Sequence, residues 1–122
     1  MKWCERKLIV GPYMTLCFSE KEFRAAMRRI KAPEPFPPFV TEGYGATTHI
    51  VRTSRGLVTV IGIDIPKKCD LIEVHGLLLH EAVHVWQAFV RDINEDHPSD
   101  EFEAYSIQML AQELFKAYRA AK

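Results

Sequence analysis

Hydrophobic and polar positions follow two different spacings along the chain, and the changes between them predict the order of its elements. The apolar run from Tyr13 to Phe18 is typical of a strand, and Ser19 then caps a helix whose apolar spacing extends over Glu20 to Lys31. Four prolines lie in the stretch from Ala32 to Phe39, which therefore predicts an extended connector.

A hairpin is predicted in the middle of the chain. The β-rich runs ATTHIVR and LVTVIGI flank the segment Thr53 to Gly56, whose glycine can take the positive φ that a tight turn needs. The first of these two strands is Ala46 to Arg52.

The next element is a long helix from about Leu71 to Arg91, with Asp70 and Glu73 forming a start that resembles a capping box. Apolar residues cover most of its circumference, so we expect nearly all of it to be buried. One polar stripe runs along it, formed by Glu73, Gly76, His80, His84, Gln87 and Arg91. The stripe predicts that two histidines face a cleft.

Ser99 or Asp100 can cap a final helix that runs to about Ala120. Together these elements predict one α+β domain over residues 1–122, in which a small antiparallel or mixed sheet packs on the long buried helix. An N-terminal helix and a C-terminal helix complete it.

Composition narrows the possible functions. Lys plus Arg and Asp plus Glu each number 16 in 122 residues, so no net charge favours a nucleic acid or a membrane surface as partner. The apolar run from Leu8 to Val10 is too short for a signal peptide or a membrane span, which predicts a cytoplasmic protein. Three scattered cysteines suggest neither disulfides nor a thiolate metal site, and nothing in the sequence indicates an oligomeric state.

His80, Glu81 and His84 form an HExxH pattern, which is typical of zinc-binding helices. Residues four apart on a helix lie one turn apart on the same face, so both imidazoles can bind one zinc ion. Glu81 projects beside the metal, where its carboxylate can act as the general base that activates a zinc-bound water. We therefore predict a zinc-dependent hydrolase with Zn²⁺ as cofactor and a peptide or protein as substrate.

A third metal ligand is expected from the start of the final helix, where Glu101 and Glu103 compete. If Asp100 is the N-cap, Glu103 completes a capping box and Glu101 is left free for the metal. Glu101 is therefore the predicted ligand. Tyr105 follows as a candidate hydrogen-bonding partner behind the ligands.

The chain resembles the gluzincins, metallopeptidases in which a second helix supplies a glutamate to the HExxH zinc. Several compact members have a Glu-x-x-Ala pattern there, which EFEAY matches, and HEAVHVWQ with PSDEFEAYSIQ is similar to small metallopeptidase-like proteins of phages and prophages. The resemblance covers about the last fifty residues. It implies a zincin-like fold, zinc ligands His80, His84 and Glu101, and Glu81 as the base. In this fold type an edge strand commonly holds an extended substrate by main-chain pairing, and the strand Ala46 to Arg52 is the candidate. Tyr105 departs from the acidic or amide residue that many gluzincins have at its position.

Other interpretations remain open. The chain could be a non-catalytic, zinc-stabilised binding or regulatory protein of phage origin. The loop residue His97 is an alternative ligand, although a solvated histidine is the simpler interpretation, and we expect His49 and His75 to be structural. The basic side of the first helix, Arg24 to Lys31, favours a solvated face over a nucleic-acid contact.

Overall fold

The computed structural model describes residues 11–121 and has an α+β architecture, as predicted. In this part of the chain no helix is both long and apolar enough to cross a membrane. Its elements are β1 (Tyr13–Cys17), α1 (Glu20–Arg29), β2 (Ala46–Thr53), β3 (Gly56–Ile63), α2 (Leu71–Asp92) and α3 (Asp100–Ala120).

The three described strands form one mixed sheet in the order β1, β3, β2. The apolar strand β3 lies in the middle, parallel to β1 and antiparallel to β2. The predicted hairpin is confirmed, with Gly56 at φ 116° closing the turn between β2 and β3. Within the described sheet β2 is an edge strand, so one row of its main-chain groups faces away from β3.

Each face of the sheet carries its own apolar core, because successive side chains of a strand point to opposite faces. Val51 and Val60 pack with Phe23 and Met27 of α1 on one face. On the other face, α2 and α3 pack against the sheet; this larger core includes Ala46, Ile61, Ile63, Val74, Leu78, Ala82, Val85, Trp86, Phe89, Leu110, Ala111 and Leu114. The sheet is thus covered by α1 on one side and by the two long helices on the other.

Helix α2 starts where the sequence predicts, with the Asp70 side chain accepting from the backbone N–H of Ile72. The predicted polar stripe is exposed along its whole length. The expectation that nearly all of α2 is buried is wrong, however: Leu71, Ile72 and Leu79 are exposed, Leu79 by 44%. The sheet and α3 together cover only part of the circumference of α2.

Helix α3 is capped by Ser99, whose hydroxyl accepts from the N–H of Phe102. Glu103 is therefore the fourth helical residue, and the capping box that was predicted for it with Asp100 is wrong. Its carboxylate instead accepts a hydrogen bond of 2.9 Å from Nε1 of the buried Trp86. Since hydrogen bonds to a charged group are among the stronger ones, this contact ties the start of α3 to α2.

The central strand has no room for a side chain at Gly62. A methyl group there would collide with the carbonyl oxygen of Phe39 and lie 2.8 Å from its ring. We expect Gly62→Ala to lower the free energy of unfolding by about 1 to 3 kcal/mol through overpacking. The matched variant Gly76→Ala, on the exposed stripe of α2 with nothing near its added methyl, should raise it by about 0.5 to 1 kcal/mol.

Urea unfolding followed by circular dichroism measures both variants. If Gly62→Ala unfolds at the same urea concentration as the parent chain, the connector residue Phe39 does not lie against β3 as described.

Candidate metal centre

His80 and His84 form a close pair on the exposed stripe of α2. Their Nε2 atoms are 3.1 Å apart, and the two rings meet edge-on at an interplanar angle of 76°. Two nitrogen ligands of a tetrahedral zinc ion, each about 2.0 to 2.1 Å from the metal, are separated by about 3.4 Å. The pair thus has the spacing that two histidine ligands of one zinc ion require.

Gln87 is the partner of the far nitrogen of the His84 ring. Nδ1 of His84 lies 3.0 Å from Oε1 of Gln87. In the tautomer that donates from Nδ1 to this oxygen, the lone pair is on Nε2, the atom that faces His80. A partner on the far ring nitrogen is the usual arrangement behind a metal-binding histidine.

Glu81 lies beside the pair but on the buried side of α2, with only 3% of its surface exposed. Its Oε2 accepts a hydrogen bond of 2.5 Å from the hydroxyl of Thr48 on β2. Within residues 11–121 no fully buried side-chain oxygen or nitrogen lacks a partner, and Oε1 of Glu81 has no hydrogen bond there. Oε1 therefore reaches the surface, where it can accept a hydrogen bond from water.

The edge strand β2 runs beside α2 in the same direction. Three contacts join successively later positions: Gly45, just before β2, with Leu77; Thr48 with Glu81; and Arg52 with Asp92. Ile50 lies between Thr48 and Arg52 on the same side of the strand and is 49% exposed. Strand β2 thus lies next to the turn of α2 that carries Glu81 and the two histidines.

The third predicted ligand, Glu101, is exposed in the first turn of α3. It lies two residues before Glu103, about 200° around the helix, so the two carboxylates leave opposite sides of α3. Glu103 is the one in contact with α2, through Trp86. Across residues 11–121 no three His, Cys, Asp or Glu side chains are arranged to hold a metal ion, so neither glutamate joins the histidine pair here.

The remaining candidates are placed away from this pair. His49 is buried, with Nε2 2.9 Å from the carbonyl oxygen of Phe39, and His75 stacks on Phe115, the contacts of structural histidines. His97 is exposed in its loop. Tyr105, the candidate hydrogen-bonding partner behind the ligands, is 66% exposed and makes no hydrogen bond with a described residue.

Two of the three cysteines lie in the described part of the chain, and neither forms a disulfide. Burial, with a smaller contribution from Glu22, raises the pKa of the Cys17 thiol to about 11. A thiol with such a pKa is almost entirely protonated near neutral pH and is therefore a poor nucleophile. Cys4 and the apolar run before Gly11 lie outside the described residues.

The site contains two contributors that the sequence did not single out. Gln87 was part of the polar stripe, and its position three residues after His84 could have identified it as a partner. Thr48 is 33 residues from Glu81 along the chain, so no local sequence pattern indicates that the two side chains meet.

Comparison with known proteins gives no match to a family model, a curated protein or a solved structure.

Proposed function

We propose that this chain is a zinc-dependent metallopeptidase with a zincin-like fold. The observation that carries the proposal is the combination on α2 of two histidine Nε2 atoms 3.1 Å apart with a neighbouring carboxylate that has one oxygen anchored and one open. A zinc hydrolase requires two such ligands together with a neighbouring base.

In this proposal His80, His84 and Glu101 hold the zinc ion. Bound there, zinc would act as a Lewis acid toward water and the substrate carbonyl. Gln87 keeps the lone pair of His84 on the nitrogen that faces the metal site. Glu101 makes no hydrogen bond or ion pair with any described residue, but it leaves the side of α3 opposite to Glu103, so it would reach the histidines only if the start of α3 turns. Recruiting Glu103 would break its hydrogen bond to Trp86.

Glu81 is the proposed general base. Its open Oε1 takes a proton from the attacking water and passes it to the leaving amine, while Oε2 stays on Thr48. The water must lie between Oε1 and the histidine pair, which are on adjoining sides of the same helix. This division of roles gives hydrolysis of a peptide bond.

The proposed substrate is a peptide in extended conformation. Its main chain can pair with the edge of β2 that no described strand covers, and β2 runs alongside α2 past Glu81. Such pairing holds any sequence by its backbone and would place a scissile bond above the histidine pair.

A second candidate is a non-catalytic protein that binds zinc for stability or regulation. It is favoured by one observation: within the described residues neither glutamate of α3 joins the histidines. A site of two histidines can bind a metal ion whose remaining ligands come from another molecule.

Digestion of a peptide library by the zinc-supplied chain, followed by mass spectrometry, separates the two candidates. We expect cleavage by the parent chain and none by Glu81→Gln. Zinc binding without any cleavage by the parent would support the second candidate instead.

A further inference from the structure

We propose that Thr48 is the positioning residue for Glu81, holding one carboxylate oxygen so that the other is presented to the attacking water. The inference rests on the proposed function for its catalytic meaning. The contact itself is a feature of the fold, and it can be tested without any substrate.

The hydroxyl of Thr48 is the only hydrogen-bond partner of the Glu81 carboxylate among residues 11–121. The contact is short, at 2.5 Å, which is typical of a hydroxyl donating to a carboxylate. With 97% of its surface out of solvent, Glu81 has little water to replace that donor. Loss of the hydroxyl would therefore leave Oε2 buried without a partner.

Thr48 is well suited to fix the position of this oxygen. Its branched Cβ restricts χ1, and its backbone is held in the ladder opposite Ile61, a fully buried residue of the central strand. A glutamate has three side-chain torsions and would otherwise be free to turn. The rigid strand thus sets the direction of a flexible base on the neighbouring helix.

The same contact links the base to the place where substrate is proposed to pair. Thr48 belongs to the edge strand β2, so the strand that holds the peptide also holds the base at a fixed distance from it.

Three variants test the inference. Thr48→Val keeps the shape of the side chain and removes the donor, while Thr48→Ser keeps the donor. Thr59→Val is the matched control: its buried hydroxyl also donates a hydrogen bond, to the carbonyl oxygen of Tyr13, but the residue lies on the central strand β3, outside the proposed site. In the library-derived peptide assay we expect kcat to fall about 10 to 100-fold for Thr48→Val, with KM and zinc affinity unchanged. Thr48→Ser and the control should stay within about threefold of the parent.

A stability cycle provides a readout that needs no substrate. Thr48→Val should lower the midpoint of thermal unfolding by several degrees, because Glu81 loses its donor. In a Glu81→Leu background the same substitution should cost nothing or raise the midpoint. Equal shifts in both backgrounds would show that the two side chains do not interact, and would overturn the inference.

The failures of the two proposals are distinguishable. If Glu81→Gln cleaves peptides at the parent rate, the proposed function is wrong. If Glu81→Gln is inactive while Thr48→Val retains the parent kcat, the base is correct and the positioning role of Thr48 is wrong.

Discussion

Glu81→Gln is expected to bind zinc as tightly as the parent chain and to hydrolyse peptides at least about 100-fold more slowly. Glutamine has the same shape, and its amide oxygen can still accept the Thr48 hydroxyl, so the packing of this buried position is kept. The amide cannot take a proton from water. The substitution thus removes the proposed base without disturbing the histidines.

Initial rates on a peptide identified from the library measure this loss, and calorimetric zinc titration measures the affinity. Glu113→Gln is the matched control, since Glu113 is an exposed glutamate of α3 whose ion pair with Lys116 lies on the surface. The control should match the parent in both measurements. Parent-like turnover by Glu81→Gln would show that Glu81 is not the general base.

The second large effect concerns the third ligand. We expect Glu101→Gln to weaken zinc binding by about 100-fold or more. Losing a residue that only hydrogen-bonds to a metal ligand already lowers metal affinity by about 10 to 100-fold, and losing a ligand itself should lower it at least as much. Glu103→Gln should change zinc affinity by less than about threefold, because its amide oxygen can still accept from Trp86. Titration of each metal-free variant with zinc, against a competing chromophoric chelator, gives both affinities.

The pattern of the two results identifies the ligand. A large loss in Glu103→Gln alone would move the third ligand to the side of α3 that already contacts α2. Parent-like affinity in both variants would leave a site of two histidines and favour the non-catalytic candidate.

The hydrophobic periodicity of the sequence was sufficient to predict the helices and strands and to place both histidines on the exposed face of α2. On α2 the polar stripe follows directly from helical spacing, and every residue of it is exposed. The hairpin followed from the need for positive φ at Gly56, and the N-caps at Ser19 and Asp70 from side chains that accept from the next turn.

The contacts that complete the site could not be predicted in the same way. Thr48 and Glu81 meet because β2 runs beside α2, and that packing is a property of the whole fold. Trp86 and Glu103 meet for the same reason, which is why a local capping rule gave Glu103 the wrong partner. The exposure of Leu79 depends on how much of α2 the sheet and α3 cover, and helical spacing alone does not contain that information.

The central claim is that His80 and His84 share one metal ion, and zinc titration of the metal-free chain tests it most directly. We expect one zinc ion per parent chain and per His97→Ala chain, whose substituted histidine is exposed in a loop. His84→Ala should lose at least about 100-fold in affinity. Equal zinc binding by the parent and His84→Ala, or none by the parent, would contradict the account.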